Sequence, residues 1–122
     1  MLLEENEKKL RTDLYGKKTE TIATEYLKSN GYKILERNYL CPLGEIDIIA
    51  NIDDRMVFVE VKARTNGKFG YGREAITSEK IRKIRNASAY YLKRNCKSEV
   101  KVRFDLIELQ NDKVVAHLTN IF

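Results

Sequence analysis

Two runs of β-forming residues with a short polar gap between them constrain this chain more than any other feature. Glu45-Ile46-Asp47-Ile48-Ile49-Ala50 and Met56-Val57-Phe58-Val59-Glu60-Val61-Lys62 flank the turn-forming stretch Asn51 to Arg55. Strand, tight turn and strand predict an antiparallel hairpin closing around Asp53-Asp54. Successive residues of a strand point to opposite faces. Phe58, Glu60 and Lys62 therefore share one face, with Val57, Val59 and Val61 on the other. On the partner strand Glu45, Asp47 and Ile49 share a face, opposite Ile46 and Ile48. Asp47 and Glu60 lie equally far from the turn, which brings two carboxylates and the Lys62 ammonium within side-chain reach of one another.

A Glu-x-Lys pair alone in a strand is ordinary, an exposed ion pair worth little. An acid in the facing strand, set among isoleucines, changes its meaning. Two adjacent carboxylates repel each other, and a hard divalent cation with oxygen ligands offsets that repulsion. Mg²⁺ in particular takes few protein ligands and keeps several waters. Such an ion binds a phosphate oxygen and lowers the pKa of a bound water. A strand lysine then orients the nucleophile or stabilises charge on the phosphorane. Asp47, Glu60 and Lys62 thus supply the parts of a phosphodiester hydrolase with Mg²⁺ or Mn²⁺ as cofactor.

The rest of the chain arranges itself around that hairpin. Met1 to Leu14 reads as a frayed or partly helical lead-in, and residues 15–122 as one domain. From about Tyr15 to Asn30 the spacing of Ile22, Ala23, Tyr26 and Leu27 predicts a helix with one apolar face, ended by Asn30-Gly31. Tyr32 to Tyr39 alternates like a strand, and Cys41-Pro42-Leu43-Gly44 turns it into the hairpin. Thr65 to Gly72 holds three glycines and reads as a loop. A second helix is expected from about Thr77 to Asn95, capped by Thr77 or Ser78, with Ile81, Ile84, Ser88, Tyr91 and Leu92 inward. Val100 to Leu109 and Val114 to Leu118 read as strands joined at Asn111-Asp112. The order α-βββ-α-ββ describes an α/β domain, a mixed sheet flanked by helices.

Charge and composition narrow the function. The 122 residues carry 23 Lys and Arg against 18 Asp and Glu, a net +5, which favours a polyanionic partner through counterion release. A charge of that size also serves solubility alone, so position must decide. Arg64, Lys68 and Arg73, in and around the glycine loop, are candidate phosphate contacts, as are Lys80 and Lys83 on the second helix. Such contacts position a nucleic acid without reading its sequence. Lys80 leans towards the acids, whereas Tyr91 reads as core. One histidine, His117, excludes nucleases that need several. It has no expected catalytic part, and Asp105 is expected to pair locally. No phosphate-binding glycine loop of the ATPase type occurs. Two cysteines make no disulfide framework, and no run approaches the roughly 18 apolar residues of a membrane span. A cytoplasmic, reducing location is expected.

Gly44-Glu45-Ile46-Asp47-Ile48-Ile49-Ala50 followed by Val57-Phe58-Val59-Glu60-Val61-Lys62-Ala63-Arg64 resembles the PD-(D/E)xK nuclease superfamily. More closely, the chain resembles the YraN-like family of small bacterial proteins, which are similar to archaeal Holliday junction resolvases. The likeness runs from about Gly16 to the C-terminus. It includes a helix start at Gly16 to Glu20, Arg37-Asn38 before the turn, and Phe69-Gly70 with Glu74-Ala75-Ile76 before Lys80. It implies a restriction-endonuclease-like αβββαβ core in which Asp47 and Glu60 hold metal and Lys62 assists catalysis. Glu20 matches the acid that completes the metal site in resolvase-like relatives. Glu45, apart from that resemblance, reads either as a supporting acid or as a solvated residue at a strand start. Ile46 occupies the place of the superfamily's proline, and the metal role needs only the acid that follows. The implied activity is a metal-dependent DNA endonuclease, acting on branched or damaged structures, with a homodimer required if junctions are resolved symmetrically. The rival expectation is a non-catalytic nucleic-acid-binding module that retains the nuclease fold.

Overall fold

The computed structural model describes residues 2–64 and 76–122. Helix α1 spans Leu2–Ser29, and strands β1 (Lys33–Cys41), β2 (Gly44–Ile52) and β3 (Arg55–Arg64) follow. Helix α2 (Ser78–Asn95) leads to β4 (Lys101–Gln110) and β5 (Lys113–Leu118). The five strands lie side by side in sequence order. Neighbours are antiparallel except β3 and β4, which run parallel with α2 as their crossover. This is an α/β mixed sheet with two helices, consistent with the restriction-endonuclease-like fold expected.

Helix α1 is longer than the apolar spacing suggests, because it runs unbroken through Gly16 from Leu2. The Leu-, Glu- and Lys-rich lead-in consists of good helix formers, and a single glycine does not stop a helix with hydrogen bonds on both sides. Its end lies where expected. Gly31 takes φ +88, and the Tyr32 N–H donates to the Leu27 carbonyl at 3.0 Å, satisfying a carbonyl the helix leaves open. At the start of α2, Thr77 is the cap, its hydroxyl accepting from the Lys80 N–H at 3.1 Å.

The sheet buries an apolar layer on each face. Ala23 and Leu27 of α1 pack on Ile48, Ala50, Val57, Val59, Ile107 and Leu109. Ala87 and Tyr91 of α2 pack on Ile46, Ile49, Met56 and Phe58. Phe58 sits between the Tyr91 edge and a stacked Phe104, with centroids 6.1 and 5.6 Å away. The β1 ladder carries a register shift between Ile34 and Glu36, yet Ile34 faces α1 and Leu35 the α2 side, as alternation expects. In β2 the expected opposition of Ile46 and Ile49 fails, since both face α2. Pairing of β2 with β3 runs from Ile52↔Arg55 to Ile48↔Val59 and stops. Beyond that point the strands separate, and Asp47 lies at the start of the gap.

Candidate functional site

The gap explains how one aspartate reaches groups from both faces of the sheet. The register, extended by one residue, sets Asp47 opposite Glu60, as the turn geometry requires. With the ladder ended, Asp47 supplies the missing acceptor from its side chain: the Val61 N–H donates to its Oδ2 at 2.8 Å. Glu60, 6% exposed, follows Phe58 on the α2 side of β3. Lys80, in the first turn of α2, places its Nζ 3.3 Å from Glu60 Oε1. Lys62 contributes a second positive charge felt by both acids.

The electrostatics show strain. Burial pushes the Glu60 carboxyl up to about 7, and the neighbouring Asp47 charge adds to the rise. Burial raises Asp47 as well, although the Val61 N–H and the Lys80 ammonium pull the other way. Partial burial would lower Lys80, yet the Glu60 charge and hydrogen bond, joined by the Asp47 and Glu45 charges, together hold it above the ordinary lysine value. A hydrogen bond from Glu60 works to lower Asp47, and Lys80 and Lys62 pull both acids down without returning either to its ordinary value.

On the α1 side an open cavity of about 430 Å³ is lined by Gly16, Lys17, Thr19, Glu20, Asn38, Glu45, Asp47 and Val61. Glu20, 5% exposed, faces this cavity with its Oε1 accepting from Arg37 Nε at 2.9 Å. Arg37 also donates to the Thr21 hydroxyl at 2.9 Å. Burial raises the Glu20 pKa despite Arg37, and the Asp47 charge adds to that. Glu45 is exposed at the rim. Asp47, Glu60, Lys62 and Lys80 therefore form one group, with Glu20 and Glu45 across the cavity from its α2 side. Among the described residues no three His, Cys, Asp or Glu side chains converge into a ready-made metal cage. The donor set nonetheless fits a hard cation: carboxylate oxygens only, two of them side by side with incomplete charge compensation, and an open polar space for water.

Of the expected phosphate contacts, Lys83 pairs with Glu79 on the solvent side of α2 at 3.5 Å. Its backbone carbonyl closes on the β1–β2 turn, where a Cβ on Gly44 would lie only 3.1 Å away. Lys68, Arg73 and the glycine loop lie outside the described residues, as does the Arg64 side chain. The expected division between lead-in and domain at residue 14 falls within α1.

A second buried carboxylate lies where sequence reasoning saw only a local pair. Asp105, 1% exposed, accepts from Arg103 through both oxygens, at 2.9 and 2.8 Å. His117 Nε2 lies 2.8 Å from Asp105 Oδ2, and the Asn120 N–H donates to Oδ1 at 3.2 Å. The other ring nitrogen of His117 meets the Tyr26 hydroxyl of α1 at 3.0 Å, and Arg103 donates to the Tyr32 hydroxyl at 2.7 Å. Burial alone would raise Asp105, yet His117, Arg103 and Asn120 together hold it below the ordinary value. The local Arg103–Asp105 pair was legible from their spacing. The links to Tyr26, Tyr32 and His117 had no signal beyond polar residues in strands. Arg37 was likewise visible only as a polar residue before a turn.

Residues 19–109 match the model of the uncharacterised protein family UPF0102. A UPF0102 protein of Clostridioides difficile is 45% identical over 104 residues, covering 84% of this chain and 91% of the relative. One from Caldanaerobacter subterraneus subsp. tengcongensis is 40% identical over 121 residues, covering 94% of this chain and 99% of its own. The chain belongs to the UPF0102 family, in agreement with the YraN-like resemblance of its motifs. No helix among the described residues is long and apolar enough to cross a membrane.

Proposed function

We propose that this UPF0102 family member is a divalent-metal-dependent endonuclease that hydrolyses phosphodiester bonds in DNA, with branched or damaged structures as its substrate class. The observation that carries this reading is the Asp47–Glu60 pair, a half-buried acid against a buried one, both raised in pKa and short of positive charge. A polar pair under that strain costs stability, and a fold has little reason to keep it without a ligand.

Asp47 and Glu60 would hold Mg²⁺ or Mn²⁺, with Glu20 as a further acid on the cavity side. When bound, such a cation neutralises phosphate charge and makes a nearby water easier to ionise. The Val61 N–H fixes the orientation of Asp47, so this ligand is preorganised by the backbone rather than by a flexible neighbour. Arg37 performs the same service for Glu20. Lys62 orients the attacking water and stabilises the negative charge that grows on the phosphorus oxygens. Lys83 and its exposed neighbours on α2 contact phosphates further along the strand, with Arg64, Lys68 and Arg73 as additional candidates. Symmetric cutting of a four-way junction would take two copies of the chain.

The test is cleavage of supercoiled plasmid, single-stranded and four-way-junction DNA with Mg²⁺ or Mn²⁺. Wild type is expected to cut at least one of them, and Asp47→Ala to lose essentially all activity. Identical behaviour of the two proteins on every substrate would sink the proposal. One observation favours a non-catalytic nucleic-acid-binding module instead: Lys80 already neutralises part of the acid pair. That reading predicts salt-sensitive DNA binding indifferent to Asp47→Ala, and no cleavage.

A further inference from the structure

The position of Lys80 poses a problem for any cation arriving at the acid pair. Its Nζ is 3.3 Å from Glu60 Oε1, and its charge is also felt by Asp47 and by Glu45. An ammonium there does for the carboxylates what a metal ion would do, at half the charge. It also occupies space against an oxygen that a metal ion would need, and two cations a few ångströms apart repel strongly in a partly buried site. The backbone of Lys80 is fixed, since its N–H is held by the Thr77 cap in the first turn of α2. The side chain is not trapped: it is 43% exposed, whereas its partner Glu60 is buried. The acid is anchored and the ammonium is free to leave.

We propose that the Lys80 ammonium is the resident counter-ion of the Asp47–Glu60 pair, which a divalent cation must displace in order to bind. This inference rests on reading Asp47 and Glu60 as metal ligands. It gives Lys80 a role separate from that of Lys62: it keeps the pair assembled in the metal-free protein and sets the threshold of metal concentration at which the site fills. Once displaced, the same side chain lies at the mouth of the site, where it meets the phosphate of an incoming nucleic acid. Lys80 acts through the ligands and is a positioning residue.

The experiment measures Mn²⁺ binding by electron paramagnetic resonance of the free ion, at about pH 8, so that proton competition is small. Wild type, Lys80→Met, Lys80→Arg and Lys83→Met are compared, with Glu60→Gln as the ligand control. Methionine keeps much of the apolar stem and removes the charge. Lys80→Met is expected to bind Mn²⁺ about tenfold more tightly than wild type, with Lys80→Arg and Lys83→Met close to wild type. A merely structural role would leave affinity unchanged or weaken it, and either result in Lys80→Met, with wild type binding, overturns the displacement proposal alone. Binding that survives intact in Glu60→Gln, or no binding by any of the proteins, overturns the metal-site reading and this inference with it. Binding by Lys80→Met but not by wild type supports displacement in its strongest form.

Discussion

Two carboxylate sites lie on the same sheet, and they are built to opposite ends. Asp105 is surrounded by donors: a bidentate guanidinium, an imidazole nitrogen and a backbone N–H. Asp47 and Glu60 are surrounded chiefly by each other, with one backbone N–H and two lysines in partial compensation. Helix α1 touches both regions, through Tyr26 at one and Glu20 at the other, six residues or about 9 Å apart along its axis. The pKa directions record the contrast. Asp105 is held down, so its ionised form stabilises the fold, whereas Asp47 and Glu60 are pushed up, so their ionised forms cost stability. A complete polar network ties secondary structure together, and an incomplete one leaves capacity for something outside the chain.

The sharpest way to break this contrast is to remove the centre of the satisfied site. Asp105→Ala strands the half-buried Arg103 guanidinium together with the His117 Nε2 and the Asn120 N–H. It is expected to lose about 3–5 kcal/mol in urea unfolding, as breaking a buried ion pair from one side does. A loss below about 1 kcal/mol would mean that the network is decorative and the contrast false.

Next in size is the pH response of the strained pair. A carboxyl whose folded pKa is raised stabilises the fold at low pH, and that stability is lost as pH rises from the ordinary value near 4.5 through the folded value of about 7. Metal-free wild type is therefore expected to be more stable near pH 5 than near pH 8, by a few kcal/mol at most. Glu60→Gln should flatten that fall, matching wild type near pH 5 and exceeding it by on the order of 1–3 kcal/mol near pH 8. Asp105 has the opposite sign: its contribution is present above the ordinary aspartate range and disappears as pH falls through its lowered value. Thermal melts of both proteins across this range, without divalent ions, are the measurement. A wild-type stability that rises from pH 5 to pH 8, or a Glu60→Gln curve parallel to wild type, contradicts the assignment of strain.

The smallest test concerns the tie between α1 and the sheet. Tyr26→Phe removes one hydroxyl from His117 Nδ1 and keeps the ring contact at 5.5 Å. It should cost about 1 kcal/mol and leave Mn²⁺ binding untouched. A change in metal affinity would show that the two sites are coupled along α1.

Much of the acid pair was legible in the sequence, because it depends on two simple periodicities. Alternation put Glu60 and Lys62 on one face of β3, and a two-residue turn at Asp53-Asp54 set Asp47 opposite Glu60. Caps were equally plain at Gly31 and Thr77. What failed to show were departures from period. Separation of β2 from β3 places Ile46 and Ile49 on one side and lets Asp47 bond across the gap, and nothing in an alternating run announces where a ladder stops. The register shift in the β1 ladder between Ile34 and Glu36 is unannounced in the same way. The Asp105 network was hidden for another reason: its members are scattered over the chain, and polar residues in strands ordinarily face water. The full length of α1 escaped because its early turns lack a clean apolar stripe.

The sequential order of the strands has a kinetic consequence. The bond from Val61 to Asp47 closes 14 residues of chain, whereas Tyr26 to His117 closes 91. Loop-closure entropy grows with the logarithm of length, so the longer closure costs about 1.7 kcal/mol more. The repulsive acids are thus expected to meet in an early local event, with the Tyr26–His117 tie closed later. Substitutions in the β2–β3 hairpin should slow folding, and those at Tyr26 or His117 should mainly hasten unfolding. On that account the molecule assembles its least comfortable contact first and depends on a far more distant one to keep it.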